Sequence, residues 1–506
     1  MGQFSADLFN GRTYQVGNET VETLGGRVLS RLVVVSNRVM LPTLARKEST
    51  GGLAIAVLDA LEKHGGIWCG WSGNLVAGEP PDIDILDGGN ITYATLDLPE
   101  ADYDQFYNGY SNRALWPLFH YRLDLVEYSR ENYEGYMRVN DRFAEQLQPL
   151  LHEDDLVWVH DYHFIPLARE LRKRRCRQRM GFFLHIPWPS KEVLTALPDH
   201  LELVEAVLEF DVIGFQTKSY VLTFLDYVVR ELGGTVDADG SLYALGKRAK
   251  VQHFPISIET QSFTELADQA EDSNHVRRLV QSMGDKQLIL GVDRLDYSKG
   301  LINRFKAYEH LLQAHPEHHR FTTFMQIAPT SRGDVLQYQD IRHELETEAG
   351  HINGTYADFD WTPVRYLNKG FSRKILAGFY RRSQVGLVTP LRDGMNLVAK
   401  EYVAAQSPAD PGVLILSRFA GAAEEMDGAL IVNPYDLASM ADAMDRALTM
   451  SLEERVNRWA RMIDQLQSFD VHHWRKNCLK AIETIPEKWN RAQGALSQSH
   501  SRIDLR

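Results

Sequence analysis

Two carboxylates, Asp393 and Glu401, stand eight residues apart in the segment Arg392-Asp393-Gly394-Met395-Asn396-Leu397-Val398-Ala399-Lys400-Glu401. The apolar run 385–388, closed by Thr389-Pro390, predicts a short buried strand, and residues from Met395 onward predict a helix. In open α/β sheets, ligands settle beyond the carboxyl ends of strands, where helix N-termini offer unpaired amides. Asp393, Gly394, Met395, Asn396 and Leu397 would then present one carboxylate and several backbone donors, with Glu401 a little over two turns further on. Carboxylates there grip sugar hydroxyls, and exposed amides grip phosphate. The same acidic start would also arise as a plain complement to the helix dipole, worth ~0.3–1 kcal/mol.

A second constellation follows the apolar run 288–292, where Arg294 and Lys299 should project from the strand's carboxyl end. A planar guanidinium beside a mobile ammonium suits a diphosphate leaving group that gains negative charge. An Arg–Asp surface pair with a solvated lysine is the bland account. His160-Asp161-Tyr162-His163 and the histidine of the run 182–189 end two further apolar runs, which makes Asp161 and His185 candidate site residues. His160 reads better as a packed core histidine. Its spacing of three from His163 fixes no metal geometry, so no metal ligand is assigned. Arg38, Tyr107, Trp116 and Arg332 form a looser set, with residue types that suit a phosphomonoester and a sugar ring. Asp82-Ile83-Asp84 and Asp237-Ala238-Asp239 mimic metal-binding motifs but sit among turn residues and are read as turns.

These groups need a scaffold, and the sequence supplies one twice. Apolar runs at 32–35, 156–159, 181–186 and 212–215 alternate with helical stretches at 53–63, 164–173, 201–209 and 220–232. The pattern returns with runs at 288–292, 323–327, 385–388, 413–416 and 430–432. Strand alternating with helix marks a doubly wound parallel sheet, so two Rossmann-like α/β domains facing across a cleft are expected. The chain is expected to cross between them near Phe254-Pro255.

Length and charge agree. A chain of 506 residues is too long for one core. A net charge of −13 argues against a nucleic-acid surface, and the basic run 172–175 reads as a solvated helix end. Cys69, Cys176 and Cys478 form no CxxC pair, which fits a reducing cytoplasm. No apolar run reaches the length of a membrane span, and no secretory leader is apparent.

Taken together, Ser36-Asn37-Arg38, Gly51-Gly52-Leu53, LWPLFHYR at 115–122, HDYH at 160–163, FFLHIPWP at 182–189, DRLDYSKG at 293–300, IAPTSRGD at 327–334 and LRDGMNLVAKEY at 391–402 resemble the trehalose-6-phosphate synthases. The resemblance runs from about Arg31 to near Trp489. It implies a retaining GT-B glycosyltransferase that moves glucose from UDP-glucose to glucose 6-phosphate, with no cofactor or metal, as a cytoplasmic homo-oligomer that binds neither nucleic acid nor membrane. By position, Arg294 and Lys299 match the diphosphate clamp, and Gly52 the loop closing over the donor. Glu401 matches the ribose carboxylate, and Asp393 with the Gly394, Met395, Asn396 and Leu397 backbone the donor-glucose and phosphate contacts. His185 matches the histidine near the donor sugar. Asp161 and Trp116 match the acceptor sugar site, and Arg38, Tyr107 and Arg332 its phosphate site.

Catalysis would rest on Arg294, Lys299, Asp161 and His185. The implied organisation is a loose extension over 1–30, an acceptor domain over 31–257 joined by a helix crossing back at 474–490, a nucleotide-sugar domain over 258–473, and a tail over 491–506. A sister transferase using glycerol 3-phosphate or a cyclitol phosphate, and a non-catalytic sugar-phosphate sensor, are the competing readings. The sequence leaves open whether UDP, ADP or GDP is preferred.

Overall fold

Runs of β-branched residues with apolar neighbours on both sides suit strands buried on both faces, as parallel sheets require. The computed structural model describes residues 30–41, 52–330 and 336–486. Its first sheet contains Leu32–Arg38 (β1), Gly66–Val76 (β2), Asp84–Asp87 (β3), Ile91–Pro99 (β4), Leu156–His160 (β5), Arg179–Phe183 (β6), Val212–Phe215 (β7), Thr235–Val236 (β8), Ser241–Ala244 (β9) and Lys247–His253 (β10). Their spatial order is β3-β4-β2-β1-β5-β6-β7-β10-β9-β8. From β4 to β10 the pairing is parallel, with antiparallel strands at both edges.

The second sheet is parallel throughout. It contains Gln287–Val292 (β11), Thr322–Ile327 (β12), Val364–Leu367 (β13), Val385–Val388 (β14), Val413–Ser417 (β15) and Leu430–Val432 (β16), in the order β13-β12-β11-β14-β15-β16. Strand order reverses at β1, between β2 and β5, and again at β11, between β12 and β14. Crevices form where neighbouring connections leave a sheet in opposite directions. Those crevices lie just beyond Arg38 and Asp161 in one sheet, and just beyond Arg294 and Asp393 in the other.

Alternation along β1 divides the core. Val33 and Val35 enter one cluster with Val157 and Val159. Leu32 and Val34 enter another, which continues through Ile256 and Ile258 to Leu288 and Leu290 beneath the second sheet. The chain crosses after β10, and Ile256 is pinned there: its amide donates to Gln216 at 3.1 Å and its carbonyl accepts from Lys400 Nζ at 2.8 Å. A second crossing runs alongside, where the Val471 amide donates to the Ile258 carbonyl at 3.1 Å. The Val471–Glu483 helix then lies on the first sheet, with the Trp474 ring 5.1 Å from that of Trp158 and 5.2 Å from that of Phe183.

Several elements differ from sequence expectation. β2 and β4 occupy segments to which the sequence reading assigned no strand. β6 stops at Phe183, so His185 stands in the loop beyond it. The helix expected from Met395 begins at Leu397, which places Glu401 just over one turn into it. Residues 172–175 are not simply solvated: Arg172 donates to the Cys176 and Gln178 carbonyls and to Asp211, at 2.9 to 3.0 Å. Asp84 opens an exposed edge strand rather than a turn. Asp237-Ala238-Asp239 does form a turn, closed by a Gly240 amide bond to the Asp237 carbonyl at 3.0 Å.

Candidate functional site

Beyond β14 the chain does not enter its helix directly. Asn396 sits at φ 81°, a region that Asn tolerates better than most residues. From there its side chain accepts the Ala399 amide at 3.2 Å, capping the Leu397–Ala405 helix. The amide nitrogen of the same side chain donates to Asp393 Oδ2 at 3.0 Å, and Lys299 Nζ donates to that oxygen at 2.6 Å. Burial alone would push the Asp393 carboxyl up. Lys299, with smaller contributions from His120 and the Asn396 amide, outweighs it and holds the group below the usual carboxylate range.

Lys299 reaches this position through a short turn after β11. Asp296 accepts the Ser298 amide at 2.9 Å and sets the turn, and Gly300 at φ 65° leads into the next helix. Arg304 is fully buried against Asp293 at 2.6 Å and donates to the Lys299 carbonyl at 3.1 Å, fixing the backbone from behind. Arg294 is exposed, and its guanidinium stands 5.8 Å from the Trp116 ring centre. That contact spans the cleft.

Across the cleft, Asp161 follows β5 at φ 71°, a strained conformation for a non-glycine residue and one that often marks a functional turn. Its carboxylate accepts the His185 amide at 3.4 Å. The His185 ring is bonded to that of His160, Nε2 to Nδ1, at 3.1 Å. Burial drives His185 down to about 3 and drives His160 well below its ordinary value, so both imidazoles are neutral near pH 7. His160 is the packed core histidine the sequence suggested.

An aromatic belt joins the remaining residues. Tyr107 stacks on His163 with ring centres 5.7 Å apart and lies 6.3 Å from Trp71, over which Arg38 stands at 5.8 Å. Tyr162, beside His163 at 4.1 Å, also lies 5.8 Å from Trp116. The loop after β14 touches this side directly. The Tyr220 hydroxyl donates to the Asp393 carbonyl at 3.0 Å, and a Cβ placed on Gly394 would run into the His185 carbonyl.

Arg38, Tyr107, Trp116, Asp161, His185, Arg294, Lys299 and Asp393 therefore line one continuous region, with the Gly394, Met395, Asn396 and Leu397 backbone along its edge. Glu401 stands apart on its helix, 3.7 Å from Arg373. Burial raises its carboxyl to about 7 against the opposing pull of Arg373. Gly52 is the first residue of the Gly52–His64 helix, and Arg332 lies outside the described residues.

Three residues carried no role in the sequence reading. His120 Nδ1 is 2.7 Å from the Trp116 carbonyl and its ring lies tilted against the indole, with centres 4.2 Å apart; their spacing of four on an apolar run was the available signal. Arg392 covers the Tyr121 ring at 3.7 Å, across the cleft. Tyr220 had no local signal. Among the described residues, His315, Glu317 and Asp445 are close enough to share a cation, but none of them belongs to a cleft motif.

The match to the glycosyltransferase family 20 model extends over residues 30–484. The chain belongs to that family. Its sequence is 51% identical over 459 residues to the trehalose-6-phosphate synthase of Escherichia coli O1:K1, covering 90% of this chain and 96% of that protein. A Burkholderia xenovorans UDP-forming α,α-trehalose-phosphate synthase in complex with glucose-6-phosphate superposes with a TM-score of 0.86 at 50% identity, over 90% of this chain and 100% of that one. An E. coli structure bound with UDP-2-fluoro glucose gives the same TM-score, identity and coverage. The two sheets of this family 20 chain are thus the two Rossmann-like halves of a GT-B glycosyltransferase.

Proposed function

We propose that the chain is a retaining glucosyltransferase that moves glucose from UDP-glucose to glucose 6-phosphate, releasing UDP and trehalose 6-phosphate. The observation that carries this reading is the Lys299–Asp393 pair at 2.6 Å, set at the carboxyl ends of β11 and β14 with Arg294 reaching toward Trp116. In this reading the diphosphate lies against Arg294, Lys299 and the amides of 394–397, with Gly52 in the loop above it. Glu401 takes the ribose. Asp393 takes the donor glucose, His185 stands beside that sugar, Asp161 and Trp116 hold the acceptor sugar, and Arg38, Tyr107 and Arg332 take its phosphate.

Retention through a covalent intermediate needs a free carboxylate nucleophile. Asp393 is engaged by an ammonium and an amide, which suits holding hydroxyls better than attacking carbon. A front-face transfer follows instead. The anomeric carbon–phosphate oxygen bond breaks, the acceptor oxygen bonds the same face, and its proton passes to the departing phosphate oxygen. Charge then accumulates on UDP, where Arg294 and Lys299 can stabilise it.

The chain would work as an acceptor unit over 31–257 with the helix at 474–490, and a donor unit over 258–473. The resemblance extends to a cytoplasmic homo-oligomer. All three cysteines are free and buried, which suits a reducing compartment, and no described helix is long and apolar enough to cross a membrane. UDP-, ADP- and GDP-glucose, each offered with glucose 6-phosphate or glycerol 3-phosphate and read by product mass, test the reading. UDP-glucose with glucose 6-phosphate should give the phosphorylated disaccharide, whereas no transfer from any donor would contradict it.

A further inference from the structure

Behind the cleft, a cavity of about 600 Å³ opens between β10, the Val471–Glu483 helix and the two chain crossings. Its charged lining is of one sign. Lys250 and Lys480 line it with His253 and His473, Asn477 adds an amide, and no carboxylate is among the lining residues. In a chain of net charge −13, a lining with two lysines and no carboxylate favours an anionic occupant. Half-exposed Phe469 offers an apolar face at the second crossing, with its ring 4.9 Å from that of His473. The volume falls within the range of small-ligand sites.

We propose that this cavity is a second binding site, for a small phosphorylated anion. Lys250 and Lys480 would neutralise the phosphate, and Asn477 and the two imidazoles would hydrogen-bond its oxygens. Its position also gives the ligand a route to the cleft. The cavity wall includes Pro255 at one crossing and Phe469 at the other, so an occupant ties together the two segments about which the halves would open. Trp474 is another wall, and its ring centre lies 6.3 Å from that of His185. An occupied cavity therefore restrains opening and slows turnover, since release steps limit many enzymes that close around substrate. This consequence rests on the transferase reading above; binding itself does not.

Pyrophosphate titrated calorimetrically into the full chain tests the proposal. Wild type and an Arg38→Ala/Arg294→Ala variant should share a binding step that Lys250→Ala/Lys480→Ala weakens at least tenfold. Asn477→Asp, which puts a carboxylate into the cavity without removing a lysine, should weaken it too and decides the matter if the lysine variant fails to fold. Pyrophosphate bound equally well by wild type and both cavity variants would overturn the site. In a transfer assay at saturating substrates, pyrophosphate should lower wild-type turnover at least twofold and leave the lysine variant unaffected. Binding at the cavity with no change in turnover would overturn the coupling, and an enzyme that transfers no glucose would fail the cleft reading while leaving the calorimetric result to stand.

Discussion

Lys299 and Asp393, ninety-four residues apart, meet at 2.6 Å with their side chains 10% and 15% exposed. Each comes from a loop at the carboxyl end of a central strand, so the pair records how β11 and β14 are aligned. Removing one member leaves a largely buried charge unmatched, which costs about 3–5 kcal/mol. Lys299→Ala and Asp393→Ala should each lower the thermal midpoint clearly. A Lys299→Met/Asp393→Leu variant should regain most of the stability while remaining inactive. Calorimetric melting and a transfer assay on the same three proteins check both halves of that expectation.

Glu401 offers a test by pH. Its folded carboxyl is raised from 4.5 to about 7, so the folded protein holds a proton there that the unfolded chain releases. Stability from this group is fully present below about 4.5 and is lost as pH rises through about 7. Glu401→Gln, which cannot ionise, should therefore be more stable than wild type at pH 8, by at most about 3 kcal/mol at ~1.4 kcal/mol per unit. The difference should vanish near pH 4.5. Denaturant midpoints across that range are the measurement.

Gly394 has no room for a side chain, since a Cβ would collide with the His185 carbonyl. Gly394→Ala should push the β14 loop away from His185 while leaving both sheets folded. Displacement by about 1 Å costs on the order of 100-fold in rate. A loss of that order in kcat/KM, with melting little changed, is the expected result.

Much of this site was legible because the buried strands are short and unbroken. β7 and β14 begin and end where their apolar runs do, and Arg38, Arg294 and Asp393 follow from strand ends. Other features depend on tertiary contacts that no local pattern carries. β2 contains Gly66 and Gly70, which are needed because its backbone presses on Leu32 and Ser36, and those glycines mask the strand signal. The helix start moved to Leu397 because Asn396 adopts a left-handed conformation and caps it. The Asp104–Leu115 segment, which positions Tyr107, is a π-helix, for which the apolar spacing of an α-helix is no guide. The role of Tyr220 exists only once the two halves face each other and its hydroxyl meets the Asp393 carbonyl.

Charge stabilisation at the departing diphosphate is the core of the proposed mechanism, and Arg294 reports on it most directly. Arg294 is exposed, so its removal should not disturb the fold. Steady-state kinetics of Arg294→Ala with UDP-glucose and glucose 6-phosphate should show kcat reduced on the order of 100- to 1,000-fold, with donor KM changed far less. An unchanged kcat with only a raised donor KM would contradict the account, because Arg294 would then hold the donor without acting on its departure.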